Sequence, residues 1–183
     1  MNDSRRTALV AGSTSGIGQA TAVALARQGV FVVVSGRDTP HEYDKLFALN
    51  TRAPFLLTAA LAPAMTEKGN GAVINVLAIS AHRGFPGVSA FGGAKAAVAS
   101  FTRTWAAEFA PAIRVNAVDL GTIRTPLHDD DADLLASLEP AIPARRIGTP
   151  EEVAAAITFL ASDEDSYISG AILPVDGGLL ATF

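Results

Sequence analysis

The chain contains no cysteine, which excludes disulfides, thiolate metal sites, CxxC redox chemistry and a cysteine nucleophile. Histidine is scarce: His41, His82 and His128 are the whole set, and no two stand at the i, i+4 spacing of a helical zinc site. The acidic run Asp129, Asp130, Asp131 reads as a solvated loop rather than a metal site. No apolar stretch approaches the roughly 18 residues that cross a bilayer, and the start MNDSRRTALVAG has too short an apolar run for a signal peptide. A cytoplasmic protein without a membrane partner is therefore expected. Charge is also sparse, at 17% of residues, and the net charge of −4 argues against a nucleic-acid partner. With a mean hydropathy of +0.31, much of the chain must be buried in its own core or in an oligomer.

What remains is one domain's worth of alternating apolar segments. The 183 residues fit a single domain over 1–183. Thr7 to Ala11 (TALVA) is a short strand running into a glycine cluster, and the alanine-rich stretch Gly18 to Arg27 has helical spacing. Val30 to Val34 (VFVVV) is the continuous β-branched run of a strand covered on both faces. The opening is thus a βαβ unit. His41 to Met65 reads as a helix interrupted by Pro54 and Pro63, Ala72 to Leu77 as a third strand, and Ser89 to Phe109 as a long helix. Ile113 to Val118 is a fourth strand. Thr149 and Pro150 announce a helix over Glu151 to Ala161, and Ala171 to Val175 is a last strand. The alternation predicts a doubly wound α/β fold with a mostly parallel sheet of about five strands. The proline-bounded, acidic segment at about 125–146 reads as a flexible flap.

The cluster Gly12, Ser13, Thr14, Ser15, Gly16, Ile17, Gly18 has the spacing GxxxGxG. Glycines in such a turn let backbone approach a pyrophosphate and let the following helix pack on the strand, while the helix N-terminus offers free N–H groups to the anion. The bare spacing is equally that of an ordinary glycine turn; its place between strand and helix in a βαβ unit favours a dinucleotide. The second strand ends Ser35, Gly36, Arg37. An acidic residue there would hold the ribose of NAD, whereas Arg37 suits a 2′-phosphate, so NADP(H) is favoured over NAD(H).

AGSTSGIG, Asn50 in ALNTRAPFLL, the AVINV strand, Lys95 in FGGAKAAV, IRVNAVDLGTIRTP, RRIGTPEEVAAAITFLAS and ISGAILPVDGG stand in an order that resembles the short-chain dehydrogenase/reductase family. The resemblance covers nearly the whole chain. It implies a Rossmann-like NAD(P)(H) domain, hydride transfer between nicotinamide and a small-molecule carbonyl or alcohol, and a homo-oligomer, dimer or tetramer, built on the Asn50 and Phe91 helices. It also implies that Ile123 and Thr125 contact the nicotinamide carboxamide, and that Asn50 and Lys95 belong to an Asn, Ser, Tyr and Lys active site.

Two departures stand out. The family's tyrosine position, four residues before the lysine, is Phe91, and its serine position is Ala78. The tyrosine is the acid that protonates the carbonyl oxygen, and the lysine one helical turn on lowers its pKa from about 10. Without either hydroxyl, hydride transfer on ordinary substrates is expected to be very slow. Neither Tyr43 nor Tyr167 fits the role, which leaves Ser80 and His82, just past the third strand, as candidates for a substitute. The second departure is internal. Between Arg37 and Tyr43 the family places further helices and strands, including the strand ending in NNAG, so cofactor binding is expected to be weak. Either the third strand moves in beside the first, giving the order second, first, third, fourth, fifth, or the gap stays open as a cleft. The alternative functions are a non-catalytic nucleotide-binding or oligomerising subunit and a degenerate remnant.

Overall fold

A computed structural model describes residues 7–11, 16–35, 43–126 and 132–182. Strand β1 (Thr7–Ala11) leads to α1 (Gly16–Arg27) and β2 (Phe31–Ser35), and β1 and β2 pair in parallel from Thr7 opposite Phe31 to Ala11 opposite Ser35. A helical stretch then runs unbroken through α2 (Tyr43–Phe47), a π-helical turn (Ala48–Arg52) and α3 (Ala53–Lys68). Of the two doubtful prolines, Pro54 stands at the start of α3, directly after the π-helical turn, and Pro63 lies inside α3.

Next come β3 (Gly71–Ala78), α4 (Ser89–Glu108) and β4 (Ile113–Leu120). The chain closes with α5 (Ala132–Leu138), α6 (Pro150–Ala161) and β5 (Ile172–Val175). Strand β4 is the centre of the molecule. It is buried at every position but Arg114, and it pairs in parallel with β3 on one side and β5 on the other. Such two-sided burial is why apolar residues stand on both of its faces. One face of the sheet is filled by Val118 and Leu120 with Val153, Ile157 and Leu160 of α6, against which α1 also packs. Ala62 of α3 and Val98, Ala99 and Trp105 of α4 cover the other, over Leu77, Ile113, Val115 and Ala117. Helix α6 begins in a reciprocal cap: Thr149 Oγ1 accepts from the Glu152 N–H, and Glu152 Oε2 accepts from the Thr149 N–H at 2.9 Å.

The five strands form two parallel ladders, β1–β2 and β3–β4–β5. β3 approaches β1, but among the described residues no ladder of hydrogen bonds joins the two, so the expected single sheet in the order β2, β1, β3, β4, β5 is found as two separate ladders. The strands are therefore split in hydrogen bonding between β1 and β3. The stretch read as a flap holds packed structure in part: Leu135 of α5 and Ile142 are buried against Ile79, Ile147 and Leu179.

Candidate functional site

Parallel strands end together, and ligands of such sheets bind beyond their C-terminal ends. Here those ends are Ala11, Ala78 and Leu120. Gly16 begins α1 with a positive φ of +53°, and a Cβ on it would lie 3.1 Å from Thr125 Cγ2. Glycine thus lets the N-terminus of α1 approach the loop after β4. Ile17 of the same turn packs into the cluster that contains buried Ile123, which is itself bridged to Gly148. Gly16, Ile17, Gly18, Ile123 and Thr125 are in this way gathered at one end of the sheet. Gly12, Ser13, Ser15 and Arg37 lie outside the described residues.

The other candidates meet across β3 and α4. Lys95 lies in the second turn of α4, where it donates from Nζ to the Val76 carbonyl at 2.8 Å. Burial lowers its pKa to about 8, against the opposing pull of the Asp119 carboxylate. Its ammonium stands 5.5 Å from the centroid of the Phe91 ring, so residues four apart on the helix do face each other. Ala78 is the last residue of β3, opposite Leu120. Gly92 is buried because a Cβ there would lie 2.6 Å from the Ser80 carbonyl oxygen, and this close approach presses the segment after β3 onto the first turn of α4.

Asn50 lies in the π-helical turn and donates from Nδ2 to the Leu46 carbonyl at 3.0 Å. The next residue ties that turn to α4, Thr51 Oγ1 donating to the Ala94 carbonyl at 3.2 Å, immediately before Lys95. A single π turn inside an α-helix is a common mark of a functional position, because it redirects one side chain at the cost of regular hydrogen bonding. Asn50, Ala78, Phe91 and Lys95 therefore share one end of the fold.

One charged group in this region escaped sequence reasoning. Asp119 is wholly buried near the end of β4, and its Oδ2 lies 3.3 Å from His82 Nε2. Burial raises its pKa; His82 and Lys95 pull it down, and Asp176 pushes it further up. The available signal was a lone acid in the run VNAVDL, where Asn116 is the other polar residue. Among the described residues no group of acidic or histidine side chains is arranged to hold a metal ion, and no helix is long and apolar enough to cross a membrane.

A family model described as enoyl-(acyl carrier protein) reductase matches residues 37–180. The chain belongs to the short-chain dehydrogenase/reductase family. This oxidoreductase family includes the 3-oxoacyl-(acyl-carrier-protein) reductase of Thermotoga maritima, 39% identical over 76% of this chain and 57% of its own length. Protein FixR of Bradyrhizobium diazoefficiens is 44% identical over 73% of this chain and 48% of its own length. The chain thus spans about half the length of these curated relatives. Among solved structures, a short-chain dehydrogenase/reductase family protein superposes with a TM-score of 0.86 at 33% identity, covering 96% of this chain and 97% of that one. A structure from Agrobacterium tumefaciens with bound NADP does so with a TM-score of 0.85 at 29% identity, covering 96% of each.

Proposed function

We propose that this chain is an NADP(H)-binding member of the short-chain dehydrogenase/reductase family whose usual tyrosine route to carbonyl and alcohol chemistry is closed. The observation that carries this reading is Lys95. Its ammonium is partly buried, anchored to the Val76 carbonyl and set against a ring at Phe91 that has no hydroxyl. A lysine in that place can lower the pKa of a phenol, and there is no phenol to act on.

The residues fit the dinucleotide. Gly16 leaves open the space a Cβ would fill between α1 and Thr125. Gly12, Ser13, Ser15, Gly16, Ile17 and Gly18 would hold the pyrophosphate, Arg37 the 2′-phosphate, and Lys95, Ile123 and Thr125 the nicotinamide end. When bound, the cofactor supplies the hydride. Asn50 and Lys95 bind and orient at that end, while Ala78 and Phe91 neither orient nor protonate a substrate oxygen. Titration with NADPH, followed by nicotinamide fluorescence, tests the reading directly. NADPH should bind weakly but more tightly than NADH, and Arg37→Asp should reverse the order, at a cost of about 1.5 to 3 kcal/mol for NADPH. Equal affinity of the parent protein for both cofactors would overturn the assignment of Arg37.

The second reading is a non-catalytic oligomerising subunit, favoured by the apolar surface of α3 and α4. Phe55 and Leu56 are 43% and 52% exposed, and Phe55 lies at the rim of a ring cluster, edge-on to Phe101 and tilted against Trp105, which in turn stacks on Phe109. A dimer or tetramer should form through these helices. Light scattering at micromolar concentration should give a mass of two or four chains, and a strictly monomeric mass would reject it.

A further inference from the structure

Strand β4 buries two polar side chains besides the end of Arg114, and they differ in how they are satisfied. Asn116 donates to the Ile168 carbonyl at 2.8 Å and accepts from the Ala171 N–H at 3.0 Å. Asp119, equally buried, has no hydrogen-bond partner on either oxygen among the described residues. A carboxylate so placed is costly unless a cation faces it. Three charged side chains do face it from the packed elements. Asp176, from the turn after β5, is committed to that turn, accepting from Gly178 N–H at 2.8 Å and Leu180 N–H at 2.7 Å. Lys95, from α4, is committed to the Val76 carbonyl at 2.8 Å. His82, just after β3, is the group in contact, with Nε2 3.3 Å from Asp119 Oδ2.

The imidazole is also reachable. Its side chain is 36% exposed, in contrast to the sealed carboxylate. It stands four residues beyond Ala78, on the segment whose Ser80 carbonyl is pressed against Gly92, next to Phe91. Ser80 Oγ on the same segment is a second buried polar atom without a partner among the described residues.

We propose that His82, held by Asp119, is the proton donor and acceptor of this site, standing in for the absent phenol. This rests on the NADP(H) reading above. Asp119 is a positioning residue: its Oδ2, 3.3 Å from Nε2, attracts the N–H side of the imidazole by charge and so favours one orientation, leaving Nδ1 to exchange protons with the substrate. In the reducing direction the Nδ1–H bond of the imidazolium breaks as the O–H bond of the alcohol forms. Its electron pair stays on the ring, and one proton taken up from solvent restores the imidazolium. The substrate carbon receives the hydride, with its electron pair, from the reduced nicotinamide dinucleotide that the proposed function names as co-reactant. Asp119 keeps its charge throughout, opposite the imidazolium.

The first arm of the test needs neither cofactor nor substrate. In 15N-labelled protein, NMR should find the proton of neutral His82 on Nε2. In Asp119→Asn the amide can turn its NH2 toward that nitrogen and move the proton to Nδ1. A tautomer unaltered by the substitution overturns the pairing. The second arm follows NADPH oxidation by a small ketone in a single turnover. His82→Gln should lower the rate on the order of 10²-fold with NADPH affinity unchanged, and His82→Asn serves if the glutamine variant fails to fold. Intact NADPH binding with an unaltered rate overturns this inference alone, as does a parent protein that binds NADPH and never oxidises it. A parent that binds no NADPH overturns the function proposed above and this inference with it.

Discussion

The double substitution Phe91→Tyr with Ala78→Ser should raise NADPH-dependent carbonyl reduction at least about 10²-fold, the low end of what one positioned acid contributes. The geometry for the gain is already present. Residue 91 stands 5.5 Å, ring centroid to Nζ, from a lysine whose own pKa burial has lowered to about 8. A phenol there would share the field of that ammonium and give up its proton below the usual value of about 10. Ala78 ends β3 at the same edge, so a serine there would offer a hydroxyl to the oxygen that the phenol protonates. Either substitution alone should gain much less, because the two groups act as a unit. Lys95→Ala in the rescued protein should remove the gain by returning the phenol toward about 10. Steady-state rates on a panel of ketones would check all four proteins. If the double variant gains nothing while NADPH binding is intact, the split between β1 and β3 is the reason the site does not assemble. A parent protein that already turns over ketones at about 1 per second or more would show that its acid is not missing at all.

How much of this was legible depends on the range of the interaction. The strands were readable because VFVVV is a continuous β-branched run and because β4, buried on both faces, carries apolar residues at most of its positions, and the α6 cap because Thr149, Pro150 and Glu152 act within four residues. The positions of Lys95 and Phe91 were readable because four residues make one helical turn. The π-helical turn at Asn50 carries no periodic mark, since it breaks the period that sequence reading relies on. Helix α5 was hidden because the acidic run before it and the prolines after it outweighed Leu134, Leu135 and Leu138. The Asp119 contact with His82 could not be read at all. It exists because β3 and β4 pair in register, Leu77 opposite Asp119, which brings together residues far apart in the chain.

Arg114→Met should cost about 3 to 5 kcal/mol of stability at pH 7, because it strands a buried carboxylate. Arg114 leaves β4 and ties three points together: it donates from Nη1 to the Leu160 carbonyl at 3.1 Å, from Nη2 to the Ser162 carbonyl at 2.9 Å, and pairs through Nη1 with Asp165 Oδ1. The side chain of Asp165 is fully buried, and its other oxygen accepts from Asn116 Nδ2 at 3.4 Å. The network fastens the end of α6 and the turn after it to the central strand. Methionine keeps the stem packed and removes only the charge and its donors. Burial already raises the Asp165 pKa, and Arg114 is the chief force pulling it back down. In the variant it rises further, so over a wider pH window the folded chain keeps a proton that the unfolded chain has released. Stability then falls as pH rises through that window, and the deficit should be smaller at pH 4.5 than at pH 7. Asp165→Asn added to Arg114→Met should recover part of the loss at pH 7, since the amide needs no counter-charge. Urea unfolding of the parent, the single and the double variant at both pH values measures each term. An Arg114→Met protein within about 1 kcal/mol of the parent at pH 7 would mean that Asp165 is protonated, or hydrated, in the folded chain and that the ion pair holds nothing.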